Sequence, residues 1–187
     1  KSDPICINIE GELSDGWIDL ENTTQNNKNE PDNNNNIALL VYTAGTTNTP
    51  KAVILNHSSF CEFALNNLNP PDPEFSEVNL LSVPLYHVAG IQTLISGIYS
   101  GRTTIIQDQF ETKNWMDLVD QHKVNRVMLV PTMLKQIIDN EDFKNYNFES
   151  LKVITYGAAP MPISVLKDAI IKFPKANFIN AFGQTET

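Results

Sequence analysis

The segment Val41-Tyr42-Thr43-Ala44-Gly45-Thr46-Thr47-Asn48-Thr49-Pro50-Lys51 puts a hydroxyl-rich turn directly after an apolar run and ends it in Pro-Lys. Those residue types can hold phosphate. Glycine lets backbone N–H groups close on an anion, threonine hydroxyls donate to its oxygens, and lysine adds a mobile positive charge. A nucleoside triphosphate is the natural guest. The Gly-x4-Gly-Lys-Ser/Thr loop of nucleotide hydrolases is excluded, because Pro50 stands where its second glycine belongs and Ala52 where its magnesium-holding hydroxyl belongs. A surface turn rich in threonine by chance has the same composition. The rest of the chain argues against it.

Tyr42 to Lys51, continued by Ala52-Val53-Ile54-Leu55-Asn56-His57, resembles the signature loop of the adenylate-forming (AMP-binding) superfamily. That superfamily includes acyl-CoA synthetases, firefly-type luciferases and the adenylation domains of peptide synthetases. Three further blocks match in the family's order: Pro84-Leu85-Tyr86-His87-Val88-Ala89-Gly90, Tyr156-Gly157-Ala158-Ala159-Pro160-Met161, and Asn180-Ala181-Phe182-Gly183-Gln184-Thr185-Glu186. The resemblance runs from about Ile37 to Thr187 and is strongest to fatty-acyl-CoA synthetases, with this chain similar to an internal fragment of their large N-terminal domain. The loop departs from the family at Ala44, usually Ser, and at Asn48 and Ala52, usually Gly. Ala44 removes one phosphate donor. Asn48 tolerates the positive φ often given to glycine, so the loop shape is expected to survive with weakened nucleotide binding.

The resemblance implies ATP-dependent activation of a carboxylic acid. The acid's oxygen attacks the α-phosphorus, pyrophosphate leaves, and the acyl adenylate passes its acyl group to CoA. Alignment and neutralisation of phosphate charge are what the protein must supply. By resemblance, Thr43, Ala44, Gly45, Thr46, Thr47, Thr49 and Lys51 contact the phosphates. Gly157, Ala158, Ala159 and Pro160 border the adenine and acyl pockets. Asn180, Ala181, Phe182, Gly183, Gln184 and Thr185 complete the nucleotide site, with Phe182 stacking on adenine in place of the family's usual Tyr. Lys51, His87, Thr185 and Glu186 are the implied catalytic residues, and Glu186 the implied Mg2+ ligand. Taken alone, His87 reads as a structural histidine and Glu186 as a solvated carboxylate; the resemblance places His87 beside the reacting carboxylate. No pair of histidines has metal-ligand spacing.

The elements that must position these blocks alternate along the chain. Apolar, β-rich runs at Ile37–Tyr42, Val78–Val83, Thr103–Ile106, Val124–Val130, Lys152–Tyr156 and Asn177–Asn180 predict strands. Helical spacing at Ser58–Asn67, Val88–Ser100, Thr112–His122, Thr132–Asn140 and Ile163–Phe173 predicts helices between them. This is an α/β pattern, a mostly parallel sheet flanked by helices. In such sheets ligands collect at the carboxyl ends of strands, where all four blocks fall. Residues 22–36 are Asn-dominated and nearly free of apolar side chains, so they predict a flexible linker or insertion between an upstream segment 1–21 and a partial adenylation domain 37–187. Ile5–Ile9 alternates as a short strand would.

At 187 residues and 41% hydrophobic composition, one sizeable core is expected. A net charge of −9 argues against nucleic acid or an anionic membrane as partner, and no apolar run approaches the ~20 residues of a membrane span. Two cysteines, Cys6 and Cys61, indicate neither a disulfide framework nor a zinc site, and fit a reducing compartment. The expected location is the cytoplasm, with a peroxisomal or membrane-associated place left open.

The leading reading is an AMP-forming carboxylic acid–CoA ligase, acting on a fatty acid with ATP, Mg2+ and CoA. A second is an amino-acid adenylation domain. It lacks the expected Phe-Asp-x-Ser stretch, since Tyr86-His87-Val88-Ala89 stands there, and the apolar helix Val88–Tyr99 suits an uncharged tail. A third is a nucleotide-binding remnant without turnover. Read as an excerpt, the chain alone is expected to be inactive and the full-length protein active.

Overall fold

The computed structural model describes residues 7–8, 18–19, 37–43, 51–72, 74 and 76–185. The chain divides into two compact units, Lys1–Asn33 and Asn34–Thr187. In the first, β1 (Ile7–Asn8) pairs in parallel with β2 (Ile18–Asp19), within the short strand expected at Ile5–Ile9. The Asn-rich stretch 22–36 lies outside the described residues.

The second unit opens on an antiparallel pair, β3 (Ile37–Thr43) with β4 (Lys51–Asn56), and α1 (His57–Asn67) follows directly. Then come β5 (Val78–Leu81), α2 (Val88–Tyr99), β6 (Thr103–Ile106), α3 (Thr112–His122), β7 (Arg126–Leu129), α4 (Pro131–Ile138), β8 (Val153–Gly157), α5 (Ile163–Lys172) and β9 (Asn177–Ala181). Strands β5 to β9 form one parallel sheet in the order β6-β5-β7-β8-β9, as the alternating pattern predicts. Element ends shift by a residue or two from expectation. Pro131 rather than Thr132 opens α4, since proline's fixed φ suits the first helical position and no N–H is needed there.

The period-two alternation of strands sorts the sheet's two faces. Leu80, Val127, Leu129 and Ile154 enter the main core with Trp115, Met116 and Val119 of α3, Leu134, Ile137 and Ile138 of α4, and Val165 and Ala169 of α5. Asn79, Arg126, Met128, Val153 and Thr155 face the other way, towards α1 and α2. Helix α2 therefore covers one face and α3, α4 and α5 the other. The chain leaves β5 in one direction for β6 and returns across it to β7, so the switch point of the sheet lies between β5 and β7. Loops leaving the carboxyl ends of those two strands diverge to opposite faces and open a crevice there.

Among the described residues no helix is long and apolar enough to cross a membrane.

Candidate functional site

The first block joins two antiparallel strands, β3 ending at Thr43 and β4 beginning at Lys51. Thr43, the half-buried last residue of β3, sits opposite Lys51, the exposed first residue of β4. Residues directly opposite in an antiparallel pair lie ~4.5–5.5 Å apart between Cα atoms, so Lys51 returns to the point where the chain left at Thr43. Ala44, Gly45, Thr46, Thr47 and Thr49 lie outside the described residues. Strand β4 is absent from the expected strands, because Ala52–Leu55 continues the motif directly. Its β-branched Val53-Ile54 was the available signal.

The second block bridges β5 and α2. His87 is the exposed residue preceding α2; its N–H donates to Pro84 O at 3.1 Å, and its carbonyl accepts from Gly90 N at 3.0 Å. Its ring lies 4.7 Å from that of Tyr86. Gly90 allows the close seat of α2 on this turn, since a Cβ there would stand 2.3 Å from Pro84 O. Leu85, Tyr86 and Ile91 share a cleft of about 320 Å³ with Leu39–Tyr42 of β3, so the first and second blocks are neighbours.

The third and fourth blocks meet at the carboxyl ends of β8 and β9, where Gly157 pairs with Ala181 and Tyr156 with Asn180. A Cβ at Gly157 would stand 2.3 Å from Ala181 O, so only glycine lets the strands approach this closely. Ala158 follows with φ +64°, a left-handed conformation that disfavours a side chain and characteristically persists where surroundings enforce it, at binding sites among other places. Ala159 and Pro160 are exposed beyond it, as are Asn180 and Ala181. Phe182 is 91% exposed, so its ring contributes almost nothing to the core. Gly183 and Gln184 are exposed and Thr185 half-buried; Glu186 lies outside the described residues.

Ala158, Ala181, Phe182, Gly183 and Gln184 line a cavity of about 390 Å³ together with Val88, Ala89 and Gln92 of α2, Met128 of β7 and Phe63 of α1. The start of α2, immediately after His87, is thereby joined to the third and fourth blocks. Thr43 and Lys51 do not line it. Phe63, Gln92 and Met128 were not anticipated. Gln92 carried a signal, being one of few polar residues in the apolar run Val88–Tyr99, and Ser96 repeats it one turn later.

A second cavity of about 270 Å³ shares Phe63, Ala89, Gln92, Met128 and Ala181 with the first and continues beneath α2 to Asn79, Arg102 and Arg126. There Glu77 receives Arg102 Nε at 3.0 Å and Arg126 Nε at 2.6 Å. Burial pushes the Glu77 carboxyl up, but the hydrogen bonds and charges of Arg126 and Arg102 outweigh it and hold the group below the usual glutamate value. Among the described residues no group of three His, Cys, Asp or Glu side chains could hold a metal ion.

Over residues 3–187 the chain matches the AMP-binding enzyme family. It is 30% identical over 155 residues to 4-coumarate-CoA ligase 1 of Narcissus pseudonarcissus, covering 80% of this chain and 28% of that protein. Acyl-CoA synthetase 7 of Caenorhabditis elegans is 27% identical over 166 residues, covering 83% of this chain and 31% of that one. The N-terminal domain of FACL13 from Mycobacterium tuberculosis superposes with a TM-score of 0.72 at 26% identity, over 81% of this chain and 38% of that one. This chain thus spans less than a third of the length of each of these two curated relatives. With the family matched over nearly its whole length, and three of the four motif blocks at the carboxyl ends of strands in the parallel sheet, the chain is a member of the AMP-binding enzyme family.

Proposed function

We propose that this chain forms the nucleotide- and acyl-binding part of an AMP-forming carboxylic acid–CoA ligase. The observation that carries this reading is the cavity of about 390 Å³ at the carboxyl ends of β7, β8 and β9, bounded by the exposed Phe182 and by the helix that His87 introduces. In this reading Thr43, Ala44, Gly45, Thr46, Thr47, Thr49 and Lys51 hold the phosphates of ATP. Adenine lies on Phe182 beside Gly157, Ala158, Ala159 and Pro160, flanked by Asn180, Ala181, Gly183 and Gln184. Thr185 meets the α-phosphate, and His87 orients the carboxylate for attack.

The carboxylate of Glu186 has the hard oxygen donors that suit Mg2+, and the ion would neutralise phosphate charge. The acid's tail enters the cavities beneath α2, and CoA accepts the acyl group. A fatty or arylalkenoic acid fits best, because the relatives include coumarate and acyl-CoA ligases and the walls include Phe63, Val88, Ala89 and Met128. An amino acid would need an anion for its ammonium group, and the second block offers His87 and Val88 instead.

The same proposal divides the chain into an upstream segment 1–21, a linker 22–36 and a partial adenylation domain 37–187. It places the protein in a reducing compartment, the cytoplasm, and expects Lys1–Thr187 by itself to make no acyl-CoA.

Phe182→Ala tests the nucleotide site without disturbing the core, since so exposed a ring buries little. Binding of a non-hydrolysable acyl-adenylate mimic should weaken by about 1–3 kcal/mol, the range for base–aromatic stacking. Phe182→Tyr should bind nearly as the parent does. Equal affinities for the parent and the alanine variant, titrated by calorimetry, would remove Phe182 from the site.

A further inference from the structure

We infer that this protein carries a second small-molecule site, for a flat ring bearing phosphate such as an adenine nucleotide, at the end of the sheet opposite the cavity that Phe182 bounds. It is a cleft of about 490 Å³ between residues 143–149 and residues 172–175, where α5 ends. These segments lead into β8 and β9 at their amino ends, whereas the Phe182 cavity opens at the carboxyl ends of the same strands. Each strand is five residues long, so at ~3.3 Å per residue its two ends stand about 13 Å apart.

The floor of the cleft is aromatic and fixed. Phe173 is buried in the main core. The ring of Phe148 lies 5.3 Å from that of Phe173 and 4.7 Å from that of Phe143, and Tyr146 stacks against Phe148 at 6.1 Å. The stretch carrying three of these rings is tied down along its length: Asp142 N donates to Asn140 Oδ1 at 2.9 Å, Tyr146 Oη to Asp117 at 2.9 Å, and Asn147 N to Asp120 at 3.3 Å. Half-buried ring surface in a preformed cleft of this volume suits a small flat group and costs little ordering when one binds.

The rim is cationic. Lys144, Lys172 and Lys175 line it against a single acid, Glu149, on a chain whose net charge is −9. Lys172 is held in place, since its Nζ donates to Ile138 O at the end of α4 and sits 4.9 Å from the centre of the Phe143 ring. One of its three donors is thereby used and two remain. Lys175 pairs with Glu149 at 3.0 Å, but both side chains are exposed, and so weak a pair yields readily to a stronger anion. The neighbouring carboxylates are engaged elsewhere: Asp117 with Tyr146, Asp120 with Asn147 and Lys123, and Asp142 with Asn145, none of them lining the cleft. Ammonium groups are point charges that suit the several oxygens of a phosphate. A lone carboxylate is met better by the planar fork of arginine, and no arginine lines the cleft. A base lying on the aromatic floor with phosphates reaching the rim satisfies both features at once.

The experiment uses the complete natural protein that carries this chain, its carboxyl-end cavity first saturated with a non-hydrolysable acyl-adenylate mimic, so that calorimetry reads a second site. AMP, ADP and adenosine 3′,5′-bisphosphate, the nucleotide end of CoA, are the nucleotide probes; adenosine supplies the ring alone and pyrophosphate the charge alone. One further equivalent of at least one nucleotide should bind, about tenfold or more tighter than adenosine or pyrophosphate, because stacking and charge each contribute on that scale. Which nucleotide binds tightest tells a CoA-derived ligand from a free adenine nucleotide. Lys144→Glu combined with Lys175→Glu, checked for an unchanged melting transition, should weaken this second binding by about tenfold or more, since like charge then stands beside phosphate, and should leave the mimic's affinity unchanged. Should the double variant fail to fold, Lys144→Ala gives the same reading at smaller amplitude, because that side chain makes no ion pair among the described residues. Absence of a second equivalent, tightest binding by adenosine or pyrophosphate, or second-site binding that the lysine variants leave intact would overturn the inference. Nucleotide bound at the cleft by a protein that does not take the mimic would count against the ligase reading alone.

Discussion

With Lys51 replaced by alanine, acid-dependent exchange of labelled pyrophosphate into ATP should fall by about 10²-fold, the scale seen when one preorganised donor to a developing charge is removed. The fold should be indifferent. Lys51 is exposed at the first position of β4, and among the described residues it makes no ion pair whose loss would be felt. Its backbone pairing with Thr43 does not depend on the side chain. The charge is thus carried on a rigid strand end beside the hydroxyl-rich turn, where its value lies in the ligand it meets. Exchange at the parental rate in a variant with the parental melting temperature would strip Lys51 of the phosphate role.

Gly157→Val should destabilise the protein by about 3 kcal/mol, the upper part of the usual range for forcing bulk into a packed site. For a chain of this size that is a fall of about 6–12 °C in melting temperature. The cause is backbone against backbone. A Cβ at Gly157 meets Ala181 O at 2.3 Å, and a carbonyl held in a parallel ladder cannot swing aside as a side chain can. The strands must part at their carboxyl ends, carrying Ala158 one way and Phe182 the other, so adenylate-mimic binding should fall with stability. Gly183→Ala is the contrast, because a Cβ there meets nothing within 4 Å and the fold should accept it. A Gly157→Val protein that melts and binds like the parent would mean that β8 and β9 are not so closely joined.

The parallel sheet was legible because strands buried on both faces leave apolar runs and the crossover helices leave a 3.6-residue period. Both signals are local. The pairing of β3 with β4 was not legible, since it depends on which strand Lys51–Asn56 finds across the turn and composition is silent on partners. Strand order was equally hidden: nothing in the runs themselves says that β7 returns to the far side of β5 and opens the crevice between them.

At the site, the blocks could be assigned to strand ends from the chain alone, but their meeting could not. Phe63 reaches the cavity from a helix chosen by its apolar spacing. Met128 does so because the alternation of β7 turns it away from the core that Val127 and Leu129 enter. The resemblance puts Ala158 at the border of the adenine and acyl pockets, whereas its left-handed backbone is a property only coordinates reveal. Gln92 lies in a helix that is otherwise mostly apolar, and only the fold shows that it lines both cavities.

Acid activation through an adenylate leaves its mark on the nucleotide product. The complete natural protein is incubated with ATP, Mg2+ and CoA, with and without a panel of fatty and arylalkenoic acids, and the products are resolved. AMP and pyrophosphate are expected in the presence of acid only, together with the matching acyl-CoA. ADP as the product, AMP release indifferent to added acid, or no turnover with any acid by a folded protein that binds ATP would contradict it.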